Sequence, residues 1–326
     1  VIDVVLLGTG AMVPLPGRWL SSALIRANGS LVLFDCGEGT QIAMRQAHWG
    51  FRRLDAICLS HLHADHVAGL PGLFHTVANA GRTEPLQIFG PPGTSDVVGG
   101  LRVIAPYLPY PVVVTELQDD ETFTLPGGLA GRVREGVHRV PVLGYRLDVE
   151  RGPAFRRDRA VTLGVPRSEW SRLQGGETVL VDGRIVHPAE VLGGPRPGVA
   201  LGLITDTRPT GHLARLVNGV DLLICEATYG EDEDGPKAER HRHMTIREAA
   251  TLASQAKVEH LWLTHFGAGM TDPSSYRQFA ESLFEMAEIG HSGLTATLTF
   301  RRGYERMEPA TAADPIAPEP GTTPAT

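Results

Sequence analysis

The chain has 326 residues, 42% of them hydrophobic, enough to bury one large core or two modest ones. No apolar run approaches the ~20 residues that a bilayer needs, so a helical span is excluded. The formal net charge of −7 gives no global reason to expect a nucleic-acid partner, which would need a locally basic surface.

Residues 1–7 are apolar but include Asp3, lack a basic flank and run into Gly8-Thr9-Gly10. They read as a first core strand rather than a signal peptide. Short β-rich runs follow at 31–34, 56–59, 86–89 and 112–117, and again at 199–204, 222–225, 260–263 and 295–300. Between the later runs, Ile246, Ala249, Ala250 and Ala253 fall at i, i+3, i+4 and i+7, the spacing of one helix face. Thr245 with Glu248 forms a capping box that starts this helix. Asp272-Pro273 reads as the start of another, which would bury Phe279, Leu283 and Met286. Strands and helices alternate irregularly, which predicts a layered α/β domain without a strict βαβ repeat. Cys36, Cys58 and Cys225 are an odd, widely spaced set, expected as reduced thiols in a cytoplasmic protein.

Two segments break the pattern. Residues 151–198 are rich in proline and glycine and carry Arg151, Arg156, Arg157, Arg159, Arg167, Arg172, Arg184 and Arg196. Against these stand only Asp158, Glu169, Glu177, Asp182 and Glu190, so a net positive, flexible inserted arm is expected within an acidic chain. Residues 308–326 are mostly Pro, Ala and Thr with almost nothing to bury, and are expected to be a disordered tail.

Chemistry concentrates at Ser60-His61-Leu62-His63-Ala64-Asp65-His66, directly after the apolar run 56–59. At strand spacing, His61 and His63 would face one metal, with Asp65 and His66 on the turn beyond facing a second. Imidazole and carboxylate are the donors that zinc takes. The alternative, a histidine-rich surface loop, does not account for four ligand-type residues in six positions at the end of a buried strand. Further donors should lie at other strand ends, where His138, Asp206 and His265 are the candidates. Each alone is an ordinary polar residue; their common placement makes them a set.

Phe34-Asp35-Cys36-Gly37-Glu38, the 61–66 motif, His138 followed by Gly144-Tyr145, Asp206-Thr207-Arg208, Glu226-Ala227-Thr228 and Leu263-Thr264-His265 stand in an order and spacing that resembles ribonuclease Z. His243-Met244-Thr245, paired with the Glu226 segment, carries the likeness beyond the superfamily motif. The resemblance covers residues 1–307. It implies a metallo-β-lactamase αββα sandwich with an inserted basic arm, and an endonuclease that matures the 3′ end of transfer RNA. It also implies two Zn2+ per chain, with Mn2+ as the alternative. One ion would be held by His61, His63 and His138, the other by Asp65, His66 and His265, with Asp206 bridging and Asp35 supporting the loop. A homodimer whose arm grips precursor tRNA is implied as well, through Arg156, Arg157, Arg159, Arg167 and Arg172, with Arg18 a further substrate contact. Asp65 would orient the nucleophile, and His243, paired with Glu226, would protonate the leaving 3′-oxygen; the competing account of that pair is a buried structural ion pair.

Three departures from the family stand out. Cys225 replaces the usual His before Glu-Ala-Thr, and Gly267-Ala268-Gly269 replaces Ser-x-Arg after His265. The loop with Pro14, Pro16, Arg18 and Trp19 lacks the lysine and asparagine of Pro-x-Lys-x-Arg-Asn, a loop implicated in rejecting tRNA that already ends in CCA. The rival functions are a hydrolase of a small ester, thioester, lactone or cyclic phosphodiester on the same fold, and a metal-bearing RNA-binding scaffold without catalysis. The first needs no basic arm, and the second has no use for a complete ligand set.

Overall fold

The computed structural model describes residues 1–307; the expected disordered tail at 308–326 lies outside the described residues. The strands are β1 (Ile2–Gly8), β2 (Ser22–Ala27), β3 (Ser30–Phe34), β4 (Leu54–Cys58), β5 (Leu86–Gly90), β6 (Val112–Glu116), β7 (Thr122–Leu125), β8 (Leu129–Glu135), β9 (Leu143–Arg151), β10 (Val179–Val181), β11 (Arg184–Val186), β12 (Arg196–Ile204), β13 (Leu222–Glu226), β14 (His260–Thr264), β15 (Ala287–Ile289), β16 (Thr295–Thr299) and β17 (Gly303–Met307). They form one sheet in the order β17-β16-β1-β2-β3-β4-β5-β6 and another in the order β15-β14-β13-β12-β9-β8-β7, with β10 and β11 a separate hairpin.

Period-two alternation explains why both sheets are covered on both faces. Ile2, Val4 and Leu6 join Val199, Leu201, Leu203 and Trp262 in the core between the sheets. Their neighbours Val5 and Leu7 face the opposite way, under α1 (Thr40–Ala47), α2 (Ala64–Val67), α3 (Leu70–Asn79) and α4 (Thr94–Leu101). On the second sheet, Ala200, Ile204, Leu223 and Cys225 point away from the centre, toward a helical layer that supplies Leu213, Ala249 and Ala253. The result is an αββα sandwich. Among the described residues, no helix is long and apolar enough to cross a membrane.

Residues 152–195, between β9 and β12, hold more regular structure than their composition suggested. They contain α5 (Arg157–Thr162), α6 (Trp170–Gln174), the β10–β11 hairpin and α7 (Pro188–Val191). Ala160, Val165, Leu173, Val179, Val181, Val186 and Val191 close into a small core of their own. At its base β9 and β12 pair directly, with Arg151 opposite Arg196 and Val149 opposite Val199.

The outer layer on the second sheet is α8 (Gly211–Leu216), α9 (Gly235–His241), α10 (Ile246–Gln255) and α11 (Arg277–Leu283). Thr245 caps α10 with the capping box complete, as the sequence predicts. The helix expected from Asp272-Pro273 needs correction. Asp272 caps a single 3-10 turn, α11 begins only at Arg277, and the chain turns extended at Phe284. Phe279 and Leu283 pack partly against the outer core, but Met286 falls in the turn before β15 and is 45% exposed.

Candidate metal centre

The donor side chains collect at one edge because β3 and β4 run parallel in the first sheet, as do β12, β13 and β14 in the second. Asp35 follows β3, residues 61–66 follow β4, His138 follows β8, Asp206 follows β12, and His265 follows β14. Three of these residues leave their strands in the left-handed region: Asp35 at φ 58°, Asp206 at φ 49° and His265 at φ 57°. Such backbone costs about 1–3 kcal/mol per non-glycine residue and persists where surrounding contacts enforce it. His61 and His63 lie in a loop, since β4 already ends at Cys58. Loop curvature, not strand alternation, brings their rings together.

Two donor sets share Asp206, and a third consists of Glu226, His243 and His265. His61, His63, His138 and Asp206 place one donor atom each within 4.8 Å of one another, and so do Asp65, His66, Asp206 and His265. Asp206 belongs to both: Oδ1 lies 3.2 Å from His66 Nε2 and 3.0 Å from His265 Nε2, while Oδ2 lies 3.7 Å from His61 Nε2. Asp65 Oδ2 sits 3.5 Å from His66 Nε2 and 3.7 Å from His265 Nε2, and accepts a hydrogen bond from the Met12 amide at 2.8 Å.

The surrounding hydroxyls decide which imidazole nitrogen faces inward. Ser60 Oγ donates to Asp35 Oδ2 at 2.8 Å, so at 3.0 Å it accepts from His61 Nδ1. Thr228 Oγ1 donates to Glu226 Oε2 at 2.7 Å and accepts from His265 Nδ1 at 3.0 Å. His66 Nδ1 donates to Asp35 at 2.8 Å, and His138 Nδ1 to the Arg242 carbonyl at 3.2 Å. With Nδ1 carrying the proton, the Nε2 lone pairs of four histidines turn to the centre. His63 instead presents Nδ1, 2.9 Å from His61 Nε2 and 3.3 Å from His138 Nε2. The Nε2 atoms of His66 and His265 are buried without a hydrogen bond, which this donor set explains if a divalent cation belongs there.

Charge follows the same logic. Burial, then the neighbouring His66, keeps His61 well below the ordinary histidine range, and burial likewise lowers His138. Burial opposes the ionised form of Asp206, but His265, His66 and His61 outweigh it and hold the carboxyl ionised. His66 is raised because Asp206 and Asp35 overcome its burial, and Nε2 must lose that proton to act as a ligand.

Beside the donors, His243 Nδ1 approaches Glu226 Oε1 at 3.3 Å. Burial resists protonation of His243, yet chiefly Glu226 lifts its pKa to about 9. Glu226 is fully buried and also accepts from Thr207 N at 2.6 Å and Met244 N at 3.0 Å. Sequence reasoning named Glu226 and His243 but missed Ser60, Met12 and Arg242. Ser60 stands beside His61, a candidate ligand; the other two carry no signal in the chain.

The arginines proposed for substrate differ in their freedom. Arg18 is committed: it donates to the Met270 carbonyl at 2.8 Å and the Thr271 carbonyl at 3.4 Å, bracing the loop beyond Gly267-Ala268-Gly269. Arg172 is held by Glu169 and Glu177, both at 2.9 Å, and Arg156 approaches Asp158 at 3.4 Å. Arg167 lies over the Trp170 ring, and among the described residues Arg157, Arg159 and Arg167 form no ion pair.

The two packed sheets, with histidine and aspartate donors for a divalent metal at their common edge, define a metal-dependent hydrolase of the metallo-β-lactamase fold. The metallo-β-lactamase fold protein YhfI from Bacillus subtilis is similar at a TM-score of 0.66 and 20% identity, over 90% of this chain and 98% of that one. Human tRNase Z, short form, is similar at a TM-score of 0.64 and 25% identity, over 90% and 98%. A family model described as anti-Pycsar protein Apyc1 matches residues 2–96, the portion holding the 61–66 motif. Ribonuclease Z of Lachnoclostridium phytofermentans is 43% identical over 300 residues, 92% of this chain and 98% of the relative. The chain belongs to the ribonuclease Z family and is a hydrolytic endoribonuclease.

Proposed function

We propose that this chain is a cytoplasmic, homodimeric endoribonuclease that hydrolyses one phosphodiester at the 3′ end of precursor tRNA and leaves a 3′-hydroxyl on the tRNA. Residues 1–307 would be the catalytic domain, with the arm at 151–198 as its grip on the tRNA. His61, His63 and His138 would hold one zinc ion and Asp65, His66 and His265 another, with Asp206 shared; Mn2+ is the alternative metal. The observation that carries this reading is Asp206, whose two oxygens address the two donor sets separately. When bound, such a metal pair activates water at neutral pH and offsets charge on the phosphodiester.

The chain's own residues supply the rest. Asp65, fixed by the Met12 amide, would orient the attacking water. As the P–O3′ bond breaks, the departing 3′-oxygen needs a proton. His243 has Nδ1 directed to Glu226, which leaves Nε2 as the donating nitrogen, and Glu226 favours the protonated ring. Exposed arm arginines suit bidentate contact with phosphates, and Arg157, Arg159 and Arg167 are the ones without ion pairs among the described residues. A small-ester or cyclic-phosphodiester hydrolase would have no use for that arm.

The test is product mapping: precursor tRNA labelled at its 5′ end, incubated with purified protein and zinc, and resolved on a denaturing gel. A single cut near the end of the acceptor stem, leaving a 3′-hydroxyl, is expected. Turnover of small esters with intact precursor would overturn the reading.

A further inference from the structure

Helix α9 ends at His241 and is followed by Arg242, which adopts φ 63°. Position C′ of a helix is ordinarily glycine or asparagine, because a Cβ makes the left-handed conformation costly. The backbone here closes normally, with Arg242 N bonded to the Glu239 carbonyl at 3.2 Å and His243 N to the Ala238 carbonyl at 2.9 Å. Glycine would therefore serve the turn better. What glycine lacks is the guanidinium, and this one donates to the backbone carbonyl of His138. In return, His138 Nδ1 donates to the Arg242 carbonyl at 3.2 Å. Two segments 104 residues apart are thus joined in both directions through one residue pair.

The pair lies between two groups with different tasks. His138 turns Nε2 toward His63, and the ring of His243, next in the chain after Arg242, packs edge-on against that of His138 with centroids 5.1 Å apart. Arg208 braces the other side: its amide donates to the Val137 carbonyl at 3.1 Å, and its guanidinium reaches the His243 carbonyl and Glu248.

We infer that Arg242 is a positioning residue that fixes His138 with Nε2 inward and, through the same backbone, sets the His243 loop against the centre. Metal uptake at His138 and ordering of residues 235–243 are then coupled events, since each holds the partner of the other in place. This rests on the reading of His138 as a metal ligand given above.

The test uses the full chain with Arg242→Gly, Arg242→Asn and Arg242→Lys. Zinc affinity is read by competition with a chromophoric chelator, and loop order by trypsin cleavage after Lys237 and Arg240 with and without zinc. In the parent protein zinc should slow that cleavage. Arg242→Gly should weaken zinc binding by about 10-fold or more, the effect typical of residues that orient a ligand. It should also abolish the zinc-dependent protection and lower kcat for bis(p-nitrophenyl) phosphate. Arg242→Asn, which tolerates the same φ but cannot reach the carbonyl, should behave alike, and Arg242→Lys should restore part of both. Unchanged zinc affinity and protection, with only a higher KM for precursor tRNA and a salt slope reduced by roughly 0.7–0.9, would make Arg242 a phosphate contact and overturn the inference. Failure of both the Gly and Asn variants to fold would overturn it too. His138→Ala is run beside them: if it keeps full zinc uptake the ligand reading fails, whereas if it loses zinc and Arg242→Gly does not, only the coupling fails.

Discussion

The role of His243 can be isolated by changing the leaving group instead of the protein alone. His243→Ala removes a ring that is 12% exposed, with Nδ1 committed to Glu226 and Nε2 left to donate. Without a proton the 3′-oxygen would leave as an alkoxide, a far stronger base than any group that titrates near neutral pH. A 3′-bridging sulfur leaves instead as a thiolate, whose acid has a pKa of about 8.5, so it is a much weaker base. A lost general acid should therefore slow cleavage of the natural linkage by about 10²–10⁴-fold and cost the thio-substituted linkage little. The assay is single-turnover cleavage of matched precursors, with elemental analysis alongside, because His243 is not among the proposed ligands and metal content should not change. Equal slowing of both linkages would refute the proton-donor argument and leave His243 as a positioning or structural group. Glu226→Gln is a poorer probe than it first looks. Both of its carboxylate oxygens accept backbone N–H bonds, from Thr207 and from Met244. Either amide orientation sets donor against donor, at about 1–3 kcal/mol of stability.

Asp206→Ala should lose most bound metal and nearly all hydrolysis, since one carboxylate addresses both donor sets; elemental analysis showing full metal content would remove the bridging assignment. Asp35→Ala should weaken metal binding about 10–100-fold by releasing His66 and Ser60, and chelator competition reads this directly. Deleting residues 156–195 behind a short Gly-Ser linker should leave the sandwich folded, because β9 and β12 pair across the cut. It should abolish precursor tRNA binding and spare bis(p-nitrophenyl) phosphate hydrolysis; equal tRNA affinity with and without the arm would exclude a gripping role. Leu173→Ala should destabilise the arm by about 2–5 kcal/mol, seen as loss of arm protection in hydrogen exchange with the sandwich core unchanged.

Much of this protein is written locally. The 61–66 motif, the Thr245–Glu248 box and the apolar runs of β1, β4 and β12 all act within a few residues, through sterics, periodicity and capping, and the family motifs share that reach. β8 and β9 are less legible in the sequence. Leu129, Gly131 and Val133 alternate inward, but intervening arginines and a glycine dilute the pattern, and only pairing with β7 and β12 makes these segments strands.

What the chain could not disclose is set by contacts between distant segments. Met12 reaches Asp65 through its amide, a group every non-proline residue has, across 53 positions. Arg18, available to substrate by type, is consumed by carbonyls some 250 residues away. The inward nitrogens of His61, His265 and His138 are chosen by Ser60, Thr228 and Arg242. Residue type specifies which atoms can donate or accept; which partner each finds depends on how the two sheets close, because hydrogen bonds act over about 3 Å and only the folded chain brings those atoms that near.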